Sequence, residues 1–242
     1  MKKLFKYLLP AVALVGCTND FLETDSTELI SADRMEEVGP YNPEIFNGTI
    51  RGLYSLMYQN GTGGTNLNHD DFGQKNYDIY SDLLSGDMVL NGYNYGWYEG
   101  IETMSSTLDY RDNSNYKPWR YYYRIIRAAN GIIDGLGGND VTPDTDEEKW
   151  QMGQAKTMRA YSYFYLSYLF ANSLDMNINT LPLYRSKADV NLPLSPASAV
   201  WASIKTDLEE SVVLLAGYDR EGIHGVNQDV ARGLLAYTYL TL

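Results

Sequence analysis

Hydrophobic residues recur at the spacing of an α-helix through the second half of this chain, and this periodicity constrains its fold most. From Trp119 to Leu136 the apolar positions are separated by four, three, three, four and three residues, and Gly137-Gly138 follows. Because a helix has 3.6 residues per turn, such positions share one face. The pattern predicts a helix from Pro118 to Leu136 whose apolar face, including Trp119, is buried.

Two of the later helices are predicted from their starts. Acidic residues at 144–148 suit the N-terminus of a helix that runs to about Ala171. This helix is apolar on more than one side, so we expect it to be buried between neighbours. Asn227 opens the last helix, which has Val230, Leu234, Tyr237 and Leu240 in phase. The sequence stops inside that helix without a Gly, Pro or cap, so we expect a truncated chain or fragment.

Another helix is predicted between these two. Ser195 is the expected N-cap, with Pro196 at the first helical position. A buried stripe follows from Val200 to Leu215, and we expect Trp201 to lie on the buried face as well. Its acidic residues are expected to face solvent: Asp207, Glu209 and Glu210.

The first half of the chain is less regular. Asn42-Pro43 are expected to open a helix that ends at Asn60-Gly61, and a long Gly/Asn loop follows over 61–76. Residues 77–90 fit either a short helix or irregular structure, and the polar run 110–117 should be exposed. The fold class is therefore mostly α, with tetratricopeptide-like helix pairs and long irregular loops. No clean 34-residue repeat is present.

The N-terminus has the features of a secretory signal. Three lysines precede an apolar run over 7–15, which is far shorter than the roughly 20 residues needed to span a bilayer. Leu14-Val15-Gly16-Cys17 resembles the lipobox of bacterial lipoproteins, in which the cysteine is acylated, for example with palmitate. We therefore expect a lipoprotein signal peptide over 1–16, lipidation at Cys17 and a tether over 17–40. The alternative is an ordinary signal peptide with an incidental cysteine.

Charge and composition exclude several functions. The formal net charge is −12, which disfavours nucleic acid because the phosphates would be repelled. The sequence His69-Asp70-Asp71 could suggest a metal, but one imidazole and two adjacent carboxylates fix no coordination geometry. With two histidines and no nucleophile motif, we predict neither an enzyme nor a cofactor.

The best candidate for ligand contact is the segment 91–98, "NGYNYGWY". Aromatic rings stack on the C–H face of a sugar, while amides pair with its hydroxyls. The segment offers both kinds of group, and these are the candidate binding residues: Trp97, Tyr93, Tyr95, Tyr98, Asn91 and Asn94. The alternative is that these rings pack the loop onto the helices. Trp150 could serve either packing or binding.

A series of motifs in order resembles the SusD/RagB-like outer-membrane lipoproteins. The motifs are "CTNDFLE" (17–23), "SGDMVL" (85–90), "WRYYYRIIRAANGII" (119–133), "QAKTMRAYSYFYLSYLFAN" with "LPLY" (154–184), "SPASAVWASIKTDLEESVVLLA" (195–216) and "GVNQDVARGLLAYTYLTL" (225–242). The resemblance covers roughly the first half of a usual member, so residues 41–242 would form an N-terminal helical domain that is incomplete at its C-terminus. Gln154 departs from the acidic residue usual in that helix.

The resemblance implies a cell-surface lipoprotein of the outer membrane. Members capture an oligosaccharide and pass it to a SusC-like TonB-dependent transporter, and they are not enzymes. It leaves two alternatives: a structural adaptor of the transporter without a ligand, and a peptide-binding member of the same family. A lipid-anchored glycoside hydrolase is a further rival, for which the sequence selects no carboxylate pair.

Overall fold

A computed structural model describes residues 44–171, 175–220 and 222–242, with side chains from Gly48 onward. The predicted signal peptide (1–16), Cys17 and the tether (17–40) lie outside the described residues. The helices and strands described below belong to one compact unit, Pro43–Leu242.

The described residues are mostly helical, as predicted, and contain one two-stranded antiparallel sheet. The elements in chain order are α1 Glu44–Ser55, α2 Gln74–Ser85, α3 Glu99–Glu102, a 3₁₀ turn Ser106–Leu108, α4 Asn113–Gly135, α5 Asp146–Phe170, β1 Asn179–Pro182, β2 Leu194–Pro196, α6 Ala197–Leu214 and α7 Gln228–Thr241. The segment that was ambiguous between helix and irregular structure contributes most of α2.

Helix α5 is the centre of the packing. It contacts α4 on one side and α6 on the other, and α6 also packs against α7. Consecutive helices therefore form tetratricopeptide-like pairs. Gly153 on α5 allows a close approach of the end of α6, because a Cβ there would lie 2.7 Å from Cγ of Leu215. The expectation that α5 is buried between neighbours is confirmed by Tyr163 and Leu166, both fully buried.

Side-chain caps explain where three helices begin. Thr145 and Glu148 form a capping box at the start of α5, and Asn227 accepts from the backbone N–H of Val230 at the start of α7. Helix α4 starts at Asn113, earlier than the predicted Pro118, because Asp112 accepts from the backbone N–H of Ser114 at 2.7 Å.

Lys117, near the start of α4, corrects one expectation. Lys117, at the end of the polar run that was expected to be exposed, is only 2 % exposed. Its ammonium group forms an ion pair with Asp70, a contact between positions 47 residues apart in sequence. The sequence pattern missed this burial because the partner lies in a distant loop.

The start of α6 also differs from the prediction. Ser195 is a strand residue opposite Leu181, and Pro196 takes the N-cap position without a side-chain cap. The first N–H groups of α6 are satisfied by backbone instead: Ala197 donates to Ile178 at 2.8 Å and Ser198 donates to Met176 at 2.8 Å. Backbone carbonyls therefore accept from the first N–H groups of α6, the role that was expected of the Ser195 hydroxyl.

Asp207 was expected to face solvent, and this was wrong. It is fully buried and accepts two hydrogen bonds from Arg159, from Nε at 2.8 Å and from Nη2 at 2.7 Å. Arg159 also donates to the side chains of Asn130 and Asn139, so this cluster joins α4, α5 and α6. Glu209 is exposed as expected, while Glu210 pairs with Lys156.

The last helix forms as predicted but buries other positions. Ala231 and Thr238 are fully buried, whereas Tyr237 and Leu240 are 65 % and 83 % exposed. The apolar stripe that was predicted for α7 is thus largely exposed among the described residues.

Candidate functional site

The segment 91–98, called here the aromatic loop, connects the end of α2 to α3. Backbone geometry constrains it, because Tyr95 and Tyr98 have φ of 59° and 65° and Gly96 has φ of 74°. Residues other than Gly, Asn and Asp rarely adopt this left-handed backbone conformation. At the entrance to the loop, the backbone N–H of Leu90 donates to Oε1 of Glu102 at 2.7 Å. The loop is therefore tied to α3.

Tyr98 anchors the end of the loop. Its hydroxyl donates to Oδ1 of the buried Asn76 at 2.7 Å, and its ring lies edge-on to Tyr80 at 5.9 Å between centroids. Burial raises the pKa of the Tyr98 hydroxyl well above its usual value, with the Asp70 carboxylate adding to the effect. Of the candidate binding residues, Tyr98 thus has its hydroxyl engaged inside the protein.

Trp97 lies half-buried against a residue from another loop. Its ring centroid is 5.5 Å from that of the exposed His69, with 40° between the ring planes. Sequence reasoning considered His69 only as a metal ligand and missed this neighbour. The two residues are far apart in the chain and no periodicity links their loops.

The remaining candidate residues are exposed on the loop. Tyr93 is 51 % and Tyr95 95 % exposed, and Asn91 and Asn94 are exposed as well. The neighbouring Glu102 carboxylate raises the pKa of the Tyr93 hydroxyl. The structure therefore brings together two exposed phenol rings, a half-exposed indole and two amides on one loop.

The loop that carries His69 is held by buried polar contacts. Asp71 accepts from the backbone N–H of Gly63 at 2.7 Å and from the hydroxyl of Thr65 at 2.7 Å. Asp70 is held by Lys117 of α4. Gly63 has no space for a side chain, since a Cβ would lie 2.7 Å from the hydroxyl oxygen of Tyr77. This packing fixes the surface against which Trp97 rests.

These contacts also bear on the His69-Asp70-Asp71 sequence. Its members have separate partners: Trp97 for His69, Lys117 for Asp70 and backbone N–H groups for Asp71. Within the described ranges, no three His, Cys, Asp or Glu side chains are grouped so as to hold a metal ion.

The other tryptophans occupy different environments. Trp201 is 6 % exposed, which confirms its predicted burial. Trp119 is only partly buried and lines a groove of about 360 Å³ beside β1. Trp150 stands beside Tyr218, 5.4 Å between centroids, in a cleft of about 880 Å³ between α1 and α5.

The aromatic loop offers non-covalent binding chemistry. Exposed rings can stack on an apolar face, and free amides can exchange hydrogen bonds with hydroxyl groups. No helix in the described ranges is both long and apolar enough to cross a bilayer.

Comparison with known proteins gives consistent matches. A model of SusD-like proteins, described as starch-binding and associating with the outer membrane, matches residues 47–240. SusD-like protein P25 of Formosa agariphila is 26 % identical over 216 residues, which cover 89 % of this chain and 38 % of that protein.

Solved structures show a similar fold. A SusD-like carbohydrate-binding protein from Bacteroides vulgatus superposes with a TM-score of 0.67 at 23 % identity, covering 81 % of this chain and 40 % of that one. Surface glycan-binding protein A from Bacteroides thetaiotaomicron, solved with laminarihexaose, gives a TM-score of 0.59 at 17 % identity, covering 81 % of this chain and 38 % of that one. The chain thus spans about two fifths of the length of these relatives.

Proposed function

This chain belongs to the SusD-like family of starch-binding proteins that associate with the outer membrane, and we propose that it captures an oligosaccharide at the cell surface through the aromatic loop. The observation that carries the proposal is the exposure of Tyr93, Tyr95 and part of Trp97 on a loop that α3 and Asn76 hold in place. A pre-ordered aromatic surface loses little conformational entropy when a sugar stacks on it.

Relatives of similar fold support the ligand class. One is named as a laminarin-binding SusD-like protein, with a TM-score of 0.58 at 22 % identity, and another was solved with laminarihexaose. By analogy, this chain binds a glycan and does not cleave it. Asn91 and Asn94 would pair with hydroxyl groups beside the stacked ring, and Tyr98 would hold the loop in place.

The further steps of the proposal concern anchoring and transfer. Cys17 would carry the acyl chains that hold the protein to the outer membrane facing outside, and a SusC-like TonB-dependent transporter would receive the glycan. Two signals are needed for a stable anchor, since a single acyl chain binds a membrane only marginally. Labelling with a palmitate analogue should mark the wild-type chain in cells, and Cys17→Ala should remove both the label and the outer-membrane fractionation.

A glycan array probed with the purified chain tests capture directly. We expect binding to neutral glucans, with laminarihexaose included as a probe, and reduced binding for Tyr95→Ala. A chain that melts cooperatively but binds no glycan would favour the adaptor. Binding confined to a peptide library would favour the peptide-binding alternative, and hydrolysis of the bound glycan would favour the glycoside hydrolase.

A further inference from the structure

A second candidate site lies on the side of α4 turned away from α2, the helix that anchors the aromatic loop through Tyr98. Lys117 and Tyr121 point toward α2 and the loop that precedes it: Lys117 pairs with Asp70 of that loop, and the Tyr121 ring lies 4.8 Å from Tyr77 of α2. Trp119 and Tyr123 are two positions further along, which rotates them by about 200° around the helix. They line the groove of about 360 Å³ between α4, β1 and the segment 183–191. Helix α4 therefore separates this groove from the contacts beneath the aromatic loop.

Aromatic rings form one wall of the groove. The ring centroids of Trp119 and Tyr123 are 4.9 Å apart, and Tyr184 meets Tyr123 edge-on at 5.7 Å. The Tyr123 hydroxyl donates to the carbonyl of Pro182 at 2.9 Å, which fixes this ring against β1. The wall is thus a continuous aromatic surface that is already ordered.

Three polar side chains with unused hydrogen-bonding capacity line the same groove. Arg127 follows Tyr123 by one turn of α4, is exposed, and makes no hydrogen bond or ion pair with any described residue. Asp189 accepts at Oδ2 from the backbone N–H groups of Arg185 and Ser186, while no described donor reaches its Oδ1. Asn191 is exposed at a φ of 52°. The groove therefore offers a donor, an acceptor and an amide that can act as either.

This combination fits a neutral sugar. A pyranose has a C–H face that stacks on an indole, and its hydroxyls both donate and accept hydrogen bonds. The opposite charges of Arg127 and Asp189 would offset each other, so a charged sugar gains no net attraction. The volume lies at the lower end of the range for small-molecule sites, enough for one or two sugar rings.

We propose that the groove beside Trp119 is a second saccharide-binding site, which takes a neutral pyranoside of one or two units. The proposal goes beyond capture at the aromatic loop and does not depend on it. It gives the chain two separate sites on opposite sides of α4, which could engage two parts of a long glycan or two chains and so raise the avidity for a polymer.

Indole N–H signals in NMR spectra of the purified chain test the proposal, because its four tryptophans report on separate places. The probes are the methyl glycosides of D-glucose, D-galactose, D-mannose and D-xylose. We expect at least one of them to give a saturable shift of the Trp119 signal and none of the buried Trp201 signal. Arg127→Ala should weaken this binding by about tenfold, as for one hydrogen bond to a charged donor.

Arg120→Ala is the matched control, because Arg120 is exposed on the same helix but donates to Tyr116, away from the groove. It should leave the Trp119 titration unchanged. No Trp119 shift with any of the four glycosides would overturn the proposal, and so would an Arg127→Ala titration identical to that of wild type.

The Trp97 signal separates this inference from the proposed function. A shift of Trp119 alone supports the groove and counts against the aromatic loop. A shift of Trp97 alone supports the loop and overturns the groove, and movement of neither signal with these probes counts against both.

Discussion

Arg159 and Asp207 form a bidentate ion pair in the interior of the helical core, with N–O distances of 2.8 and 2.7 Å. The Arg159 side chain is 0 % and the Asp207 side chain 1 % exposed to solvent. Removing one partner of such a pair leaves the other charge buried without compensation, which costs more than the pair itself contributes. The pair therefore fixes how α6 sits on α5.

Asp207→Ala is expected to lower the free energy of unfolding by about 3–5 kcal/mol, because Arg159 would keep a buried charge without its main partner. Chemical denaturation followed by circular dichroism measures the change. Glu209→Ala, on the exposed face of the same helix, is the matched control and should cost less than about 1 kcal/mol. Equal effects of the two substitutions would contradict this assignment.

Gly153→Ala tests the close packing of α5 against the end of α6. A Cβ at Gly153 would overlap Leu215, so we expect a loss of about 1–3 kcal/mol in the free energy of unfolding. At Gly131, in the middle of α4, the nearest atom to a Cβ is Cδ of Lys187 at 3.8 Å. Gly131→Ala should therefore stabilise by about 0.5–1 kcal/mol through helix propensity. A destabilised Gly131→Ala, or a neutral Gly153→Ala, would be inconsistent with this packing.

Tyr98→Phe tests the anchor of the aromatic loop. It removes the hydroxyl that donates to the buried Asn76, so we expect a loss of about 1–3 kcal/mol, seen as a lower Tm. Tyr95→Phe is the matched control, because Tyr95 is on the same loop, has a similar backbone conformation and is almost fully exposed. A Tm for Tyr98→Phe no lower than that for Tyr95→Phe would rule out the anchoring role.

Buried tyrosines should make the fold sensitive to alkali. Burial is the main cause that raises the pKa above the usual 10.0 for Tyr54, Tyr77, Tyr80, Tyr121, Tyr122, Tyr123, Tyr161 and Tyr163. Above pH 10 the unfolded chain loses phenolic protons that the native state retains. The free energy of unfolding therefore has its full value below pH 10. Above pH 10 it falls by about 1.4 kcal/mol per pH unit for each tyrosine that is still protonated in the native state.

Tyrosinate absorbance at alkaline pH, recorded together with circular dichroism, checks this dependence. We expect the absorbance of the buried tyrosines to rise in the same narrow pH interval in which helicity is lost. If these phenols ionised gradually while the helical signal stayed constant, the burial that raises their pKa would be refuted.

Local patterns predicted the helices well, because their signals lie within a few residues. The apolar stripe from Trp119 to Leu136 and the Asn227 cap could each be predicted from a single short stretch of sequence. The errors concern long-range partners. Asp207 and Lys117 were expected to be exposed because charged residues usually are, and only the fold brings Arg159 and Asp70 to them.

The same limit applies to the candidate site. Composition identified the aromatic loop, but the neighbour of Trp97 and the partner of Tyr98 came from other elements, which no periodicity connects to it. The groove beside Trp119 was missed because its stripe was assigned to the core. Trp119, Tyr123 and Arg127 lie at successive intervals of four, and the cation at the end of this aromatic stripe is a signal that could have suggested a ligand-binding face.

Isothermal titration of the chain and of Trp97→Ala, with the glycan that binds best on the array, tests the central claim most directly. Trp150→Ala is the control, because Trp150 is also partly buried but lines the separate cleft between α1 and α5. We predict that Trp97→Ala weakens binding by at least about thirtyfold, as for a stacking tryptophan at the centre of a site, and that Trp150→Ala changes it by less than about threefold. Equal affinities of wild type and Trp97→Ala would contradict glycan capture at the aromatic loop.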